Sequence, residues 1–245
     1  MSHSALIPGI ADPLGPLSEL ASRIDHTLLE PDVTRDQIER HCQEALEHGF
    51  ACVFVNPCWV ALAVHLVQGS AVCVGVPVGF PLGVSLTTSK RVEADDAIRL
   101  GASEVDMVMN IGALKSGDRN LVEQDIRGVV EVVHSGGGLL KVVLETALLT
   151  LDEKLVSCQI AMAAGADYVK TSTGFGPGGA TVDDVALMRG VVGEKLGVKA
   201  SGGIRTAADA LAMLHAGASR IGTSAGVSIL QGLSSPTIAT PTGRY

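Results

Sequence analysis

Eight short apolar segments recur along the chain, and each is followed by a turn and then by a helical or loop segment. Most are rich in valine and continuously apolar rather than alternating, which is typical of parallel strands covered by helices. This order predicts an α/β protein, either a (β/α)8 barrel or a doubly wound sheet. The predicted strands are residues 24–27, 51–55, 71–76, 104–109, 139–144, 167–171, 198–201 and 220–222.

Helical patterns fill the gaps between these strands, and most of them stop at a glycine. The tripeptides that begin at Gly101, Gly165 and Gly217 are alike, and each stands just before a strand, which indicates one helix-to-strand turn reused around a barrel. No G-x-G-x-x-G opens the first strand–helix unit, which disfavours a dinucleotide-binding doubly wound sheet. The predicted helices are residues 34–48, one opened by Asn56 as cap and Pro57, 90–100, 120–134, 152–164, 182–196 and 206–215.

The chain length of 245 residues suits one (β/α)8 TIM barrel, which typically needs roughly 250 residues. We therefore expect a single domain over residues 1–245, with the barrel at about 20–230 and an N-terminal extension before it. Residues 234–245 are polar and contain prolines, which predicts a flexible C-terminal tail.

Charge and cysteine content narrow the class of function. A net charge of -8 without a basic stripe disfavours nucleic acid as a partner. The chain has five cysteines, an odd number, and no C-x-x-C motif. Neither a disulfide framework nor a zinc site is therefore predicted. A reducing compartment fits this pattern, and the N-terminus lacks signal-peptide features, so we expect a cytoplasmic location. Residues 49–89 carry no charge, but prolines and glycines interrupt them too often for a membrane span.

Two lysines on neighbouring strands stand out, because the active site of such a barrel lies at the carboxyl ends of its strands. Lys170 lies in DYVKTSTG and Lys199 in LGVKASGG, both within apolar segments. A second ammonium beside a buried lysine lowers its pKa, and the free amine can attack a carbonyl. The alternative is that the aliphatic stem of each lysine is buried while its ammonium group reaches solvent.

Other polar residues on the strands are weaker candidates. Asp106 could move protons, or it could pair with Lys141 or Lys170, and Asp25 has the same two interpretations. Cys52 fits a small buried core residue better than a reactive thiol, and His26 either orients a neighbour or packs. Lys141 and Glu145 are placed on the fifth strand. No set of His, Cys and carboxylate residues has metal-ligand spacing, so a metal-dependent aldolase is disfavoured.

Glycine-rich loops after the last strands suggest a phosphate site, since barrel enzymes often bind phosphate there with backbone N–H groups. Ser201-Gly202-Gly203 follows the seventh strand, and Gly222-Thr223-Ser224 follows the eighth. The loop TSTGFG after Lys170, which contains Thr173 and Gly174, adds hydroxyl groups. The alternative is that these segments are ordinary tight turns.

Taken together, these segments resemble the deoxyribose-phosphate aldolase family. DYVKTSTG from Asp167 resembles its Schiff-base lysine motif, and VKASGGIRT from Val198 resembles its second-lysine and phosphate-loop motif. Further matches, in the family's order, are IDHTLL from Ile24, CVFVNP from Cys52, GASEVDMVMNIG from Gly101 and LKVVLET from Leu140.

The resemblance implies a TIM barrel that reversibly cleaves 2-deoxy-D-ribose 5-phosphate to D-glyceraldehyde 3-phosphate and acetaldehyde. It also implies that Lys170 forms the imine, that Lys199 perturbs it electrostatically and that Asp106 handles protons with a bound water. By the same resemblance the chain is a homodimer, needs no cofactor and ends in a tyrosine, Tyr245, that transfers a proton at the imine carbon. The resemblance assigns accessory positions to Asp25 and Cys52 and phosphate-side positions to Gly174, Gly202, Gly203, Gly222 and Ser224.

Two departures from the family pattern concern the phosphate. Phe175 stands where some members carry a lysine, so any further positive charge on the phosphate is either absent or comes from elsewhere, such as Arg205. Ala225 follows Ser224 where some members have a second serine. Two other functions stay open on sequence grounds, namely a Schiff-base aldolase or transaldolase with another acceptor, and a barrel that only binds phosphosugars as a sensor.

Overall fold

The computed structural model describes residues 17–234, and eight parallel strands in that range form a closed barrel. Each strand pairs with the next along the chain, and β8 closes the barrel on β1. The predicted (β/α)8 barrel is therefore confirmed. The strands are β1 Ile24–Leu28, β2 Cys52–Val55, β3 Cys73–Val78, β4 Glu104–Val108, β5 Leu139–Val143, β6 Tyr168–Lys170, β7 Gly197–Ser201 and β8 Arg220–Thr223.

Helices connect the strands. Thr34 and Thr150 stand at the N-terminal caps of α2 and α7, and each forms a capping box with the residue three positions on. The helices are α1 Leu17–Ala21, α2 Arg35–His48, α3 Val60–Val67, α4 Thr87–Arg99, α5 Ile111–Lys115, α6 Arg119–Ser135, α7 Leu151–Ala164, α8 Val182–Val192, α9 Ala207–His215 and α10 Gly226–Ser234. None of those within residues 17–234 is long and apolar enough to cross a membrane.

The repeated turn before the strands is confirmed. Gly101, Gly165 and Gly217 have φ values of 103°, 87° and 109°, a left-handed conformation that glycine adopts without steric cost. The amide of the alanine after each glycine donates to the carbonyl five residues earlier, at 3.0 to 3.1 Å. This pattern closes the end of a helix and turns the chain into the next strand.

One predicted helix end was wrong, and one predicted helix start was confirmed only in part. The helix predicted for residues 182–196 ends at Val192, because Gly193 adopts a φ of 54°. Asn56 stands at an N-cap and Pro57 follows it, as predicted, but the Asn56 side chain makes no capping hydrogen bond. Its Nδ2 donates instead to the carbonyl of Leu29 at 3.0 Å, and a 3₁₀ turn over Pro57–Trp59 precedes α3. The structure also contains α1, α5 and α10, which were not predicted.

The inner face of the barrel accommodates bulky side chains beside glycines. A Cβ atom on Gly75 would lie 2.3 Å from the Phe54 ring, and one on Gly222 would lie 2.9 Å from Cε of Lys199. Real Cβ atoms do not approach so closely, so a larger residue would displace the Phe54 ring at the first position and the Lys199 side chain at the second. Gly222, predicted as a phosphate-side residue, therefore also makes room for Lys199.

Parts of the sequence-based prediction fall outside the described residues. These are the N-terminal extension, nearly all of the tail at 234–245, and Tyr245. The single-domain organisation of the whole chain stays a prediction.

Candidate active site at the carboxyl ends of the strands

Asp106 lies at the centre of the barrel and binds three lysines. Its carboxylate is fully buried. Oδ2 accepts hydrogen bonds from Nζ of Lys170 and from Nζ of Lys199, both at 2.8 Å. Oδ1 accepts one from Nζ of Lys141 at 3.0 Å. The structure therefore brings together the two lysines and the aspartate that the sequence singled out.

Further ion pairs continue this network through the barrel interior. Lys141 contacts Glu104 at 2.6 Å, and Glu104 contacts Arg220 at 2.6 Å. Arg220 pairs with Asp25 at 2.5 Å, and Asp25 pairs with Lys199 at 2.5 Å. Burying charge is costly unless it is paired, and here each charge faces an opposite one.

Glu104 and Arg220 were missed from the sequence. Both are the first residues of their strands, where a charged side chain is typical of a solvated turn. A signal did exist for Glu104. Strand side chains alternate between faces, so Glu104 must share its face with Asp106 two residues later.

The Phe54 ring faces the lysine cluster. The Nζ atoms of Lys141, Lys170 and Lys199 lie 5.5, 5.3 and 4.2 Å from the ring centroid. Aromatic faces attract cations at such distances, more strongly where water is excluded. Phe54 therefore stabilises an ammonium on Lys199 more than one on Lys170.

Lys170 is the lysine of this cluster that reaches a cavity. It lines the cavity at the barrel mouth, whereas Lys141 and Lys199 are fully buried and do not. The pKa of Lys170 is lowered to about 8, because burial and the charges of Lys199 and Lys141 together outweigh the opposing effect of Asp106. An appreciable fraction of Lys170 is therefore a free amine near neutral pH.

Asp106 and Asp25 stay ionised. Burial alone would raise the pKa of Asp106, but Lys141, Lys170 and Lys199 together outweigh it and hold the pKa far below the ordinary value. Burial likewise opposes the lowering of the Asp25 pKa, which Lys199, Lys141 and Arg220 bring about. For Lys141, the neighbouring carboxylates overcome burial and raise the pKa well above the usual range. Lys170 is thus the member of the network suited to exchange a proton near neutral pH.

The cavity has a volume of about 230 Å³. Most predicted substrate-side residues lie on its wall, but Cys52 does not. Phe175, Arg205 and Glu30 also line it. The predicted residues on the wall are Lys170, Thr173, Gly174, Ser201, Gly202, Gly203, Gly222 and Ser224.

Hydrogen bonds join the loops around the cavity. Thr171 Oγ1 donates to the Ser201 carbonyl at 3.0 Å and accepts from the Ser201 amide at 3.1 Å. Ser201 Oγ donates to the carbonyl of Ser172 at 2.5 Å. Thr223 Oγ1 donates to the carbonyl of Ile204 at 2.7 Å. The loops after β6, β7 and β8 are therefore linked, and the Ser201 hydroxyl is already engaged.

Cys52 and His26 take structural positions. Cys52 is fully buried, and burial, then Glu104 and Asp25, raises its pKa well above the ordinary value. A thiol of this kind is a poor nucleophile. His26 stacks on His41 with ring centroids 3.9 Å apart, and its Nε2 lies 2.7 Å from Glu44. Burial lowers the pKa of His26 to about 4, so it packs as a neutral ring.

Two groups of potential metal ligands occur within the described residues. His26, His41 and Glu44 form one group, and Asp25, Cys52 and Glu104 form the other. In the second group the carboxylates already bind Arg220, at 2.5 Å from Asp25 and 2.6 Å from Glu104. That group is therefore an ion-pair site.

Comparison with known proteins gives a consistent result. A model of DeoC/LacD family aldolases matches residues 20–233. A deoxyribose-phosphate aldolase of Brevibacillus brevis is 59% identical over 85% of this chain and 94% of its own length. One of Thermoanaerobacter sp. is 56% identical over 86% and 96%. The solved deoxyribose phosphate aldolase of Aeropyrum pernix, described as a unique tetramer, superposes with a TM-score of 0.86 at 36% identity, covering 91% of this chain and 94% of that one.

Proposed function

The chain belongs to the DeoC/LacD aldolase family, and we propose that Lys170 is the covalent nucleophile of the family reaction. That reaction is the reversible cleavage of 2-deoxy-D-ribose 5-phosphate to D-glyceraldehyde 3-phosphate and acetaldehyde by Schiff-base chemistry. The observation that carries the assignment is that Lys170, unlike Lys141 and Lys199, lines the cavity. The family assignment also decides against a barrel that only binds phosphosugars.

In the cleavage direction, the neutral amine of Lys170 attacks C1 of the open-chain aldehyde, and loss of water gives an iminium. The iminium accepts the electron pair of the C2–C3 bond as the C3 hydroxyl loses its proton. D-Glyceraldehyde 3-phosphate leaves, and the enamine of acetaldehyde remains on Lys170. Protonation of the enamine at C2 and hydrolysis release acetaldehyde and restore the amine.

Asp106 is the proposed acceptor of the C3 hydroxyl proton. Its carboxylate is ionised, because three lysines hold its pKa low, and it lies 2.8 Å from the reacting Nζ. Asp106 is buried beneath the cavity wall, so a bound water relays the proton. Asp25 supports this group by pairing with Lys199, and Lys199 lowers the pKa of Lys170.

The phosphate end of the substrate is proposed to bind at the glycine-rich part of the cavity wall. Support comes from Gly202 and Gly203, whose φ values of 88° and 80° bring bare backbone to the cavity, and from the Ser224 hydroxyl. Arg205 supplies the positive charge that some family members carry on a lysine at the position of Phe175. Tyr245, which the family resemblance assigns to proton transfer at the imine carbon, lies outside the described residues.

Borohydride trapping with acetaldehyde, followed by peptide mass mapping, tests the nucleophile. We expect an added ethyl group on the peptide that contains Lys170. Lys170→Ala should abolish both trapping and turnover, whereas Lys195→Ala, which removes an exposed lysine, should change neither. Modification at Lys199 would reverse the roles of the two lysines, and turnover by Lys170→Ala would refute the mechanism.

We further propose a homodimer in the cytoplasm. The five unpaired cysteines support a reducing compartment, and the family resemblance supports the dimer. Light scattering after size-exclusion chromatography distinguishes a dimer from the tetramer described for the Aeropyrum pernix protein.

A further inference from the structure

Glu145 has an unusual backbone conformation for its residue type. It lies two residues after the end of β5, and its φ of 55° is the one positive value at a non-glycine residue among residues 17–234. Its side chain is buried, with 3% of the residue exposed. A left-handed conformation at a non-glycine residue is unfavourable and persists only where surrounding contacts hold it. The contacts of the carboxylate should therefore explain this conformation.

The Glu145 carboxylate binds the loop that follows Lys170. Oε2 accepts hydrogen bonds from the Thr173 amide at 3.1 Å and from Thr173 Oγ1 at 2.5 Å. Thr173 Oγ1 in turn accepts from the Phe175 amide at 3.1 Å. Gly176 packs against the carboxyl group so closely that a Cβ atom there would lie 2.7 Å from Cδ of Glu145. One side chain thus fixes both ends of the segment 173–176.

Glu145 itself does not line the cavity, but the segment that it fixes does. Thr173, Gly174 and Phe175 all belong to the wall. A Cβ atom on Gly202 would lie 3.7 Å from the Gly174 Cα, so this segment adjoins the glycine loop proposed to bind phosphate. The lysine network, in contrast, is held by Asp106, Asp25 and Glu104 without contact to Glu145.

We propose that Glu145 is a positioning residue for the phosphate-bearing end of the substrate. It holds the segment 173–176 against the Gly202 loop and has no part in the imine chemistry at Lys170. This inference rests on the proposed function, because it presumes a substrate with an imine-forming end and a phosphate end. Oε2 accepts both bonds, so the amide oxygen of a glutamine can replace it.

The test compares kcat/KM for 2-deoxyribose 5-phosphate and for unphosphorylated 2-deoxyribose. Glu145→Ala should lower kcat/KM for the phosphorylated substrate roughly 10-fold or more, as expected for losing hydrogen bonds to a charged group. The unphosphorylated substrate should change little. Glu145→Gln should stay within about 3-fold of the unsubstituted protein on both. Glu123→Ala, which removes a partly exposed carboxylate on α6 that pairs with Arg127, is the matched control.

A double-variant comparison and the trapping assay distinguish the ways in which the proposal could fail. The effect of Glu145→Ala should combine less than multiplicatively with that of Thr173→Val, because the carboxylate acts through Thr173. Equal losses on both substrates would overturn the positioning role and leave a structural one. Loss of acetaldehyde trapping in Glu145→Ala alone would place Glu145 in the imine chemistry and also overturn the proposal. Absence of trapping in the unsubstituted protein would instead refute the proposed function.

Discussion

Lys170 and Lys199 donate to the same oxygen atom, Oδ2 of Asp106, each over 2.8 Å. The two lysines are nevertheless not equivalent. Lys199 also pairs with Asp25 at 2.5 Å and is closed off from the cavity, whereas Lys170 faces the cavity. Lys199, which is fully paired, therefore lowers the pKa of Lys170. Lys170 is free to react.

Replacing Lys199 should move the pH profile of activity. Only neutral Lys170 attacks the substrate, so kcat/KM should rise with pH through the Lys170 pKa of about 8. Lys199→Leu removes a positive charge, which raises that pKa and shifts the midpoint to higher pH. The measurement is kcat/KM against pH, with thermal unfolding recorded in parallel to confirm that both proteins are folded. An unchanged midpoint would contradict the electrostatic role of Lys199.

Lys170 should make the folded protein more stable as the pH rises above neutral. Its pKa is about 8 when folded and 10.5 as the ordinary value. The unfolded chain therefore binds the proton more tightly between these values, and stability rises as pH increases through that window. Relative to Lys170→Met, the free energy of unfolding should increase by about 2 kcal/mol between pH 7.5 and 9.5. Urea unfolding at both pH values measures this difference, and a constant difference would show that the folded-state pKa is not lowered.

Arg205 should contribute to affinity for phosphate. Its side chain lines the cavity and is exposed, so the charge is partly screened and its effect moderate. Arg205→Ala should raise KM for 2-deoxyribose 5-phosphate roughly 3- to 10-fold. The effect should shrink at high salt, and unphosphorylated 2-deoxyribose should show none. Arg99→Ala on the exposed end of α4 provides the control. Equal effects of Arg205→Ala on both sugars would exclude a phosphate contact.

The strands were predictable because strands buried on both faces carry uninterrupted valine-rich runs. The ends of the helices were less predictable. Gly193, for example, terminates α8 four residues before the glycine chosen from the sequence. The lysines and Asp106 were predictable because charge inside an apolar run needs a reason. Arg220 was not, because its role depends on Asp25, which is distant in sequence and joined to it only when the barrel closes. Nothing in the sequence indicates the left-handed conformation of Glu145.

The ion pairs of the barrel interior join four basic side chains to three acidic ones, namely Lys141, Lys170, Lys199 and Arg220 with Asp25, Glu104 and Asp106. The interior is electroneutral only when Lys170 is an uncharged amine. Forming the iminium returns a surplus positive charge to that nitrogen, and breaking the C2–C3 bond discharges it, because the enamine is neutral. The same imbalance that lowers the pKa of Lys170 therefore favours the carbon–carbon bond cleavage that follows.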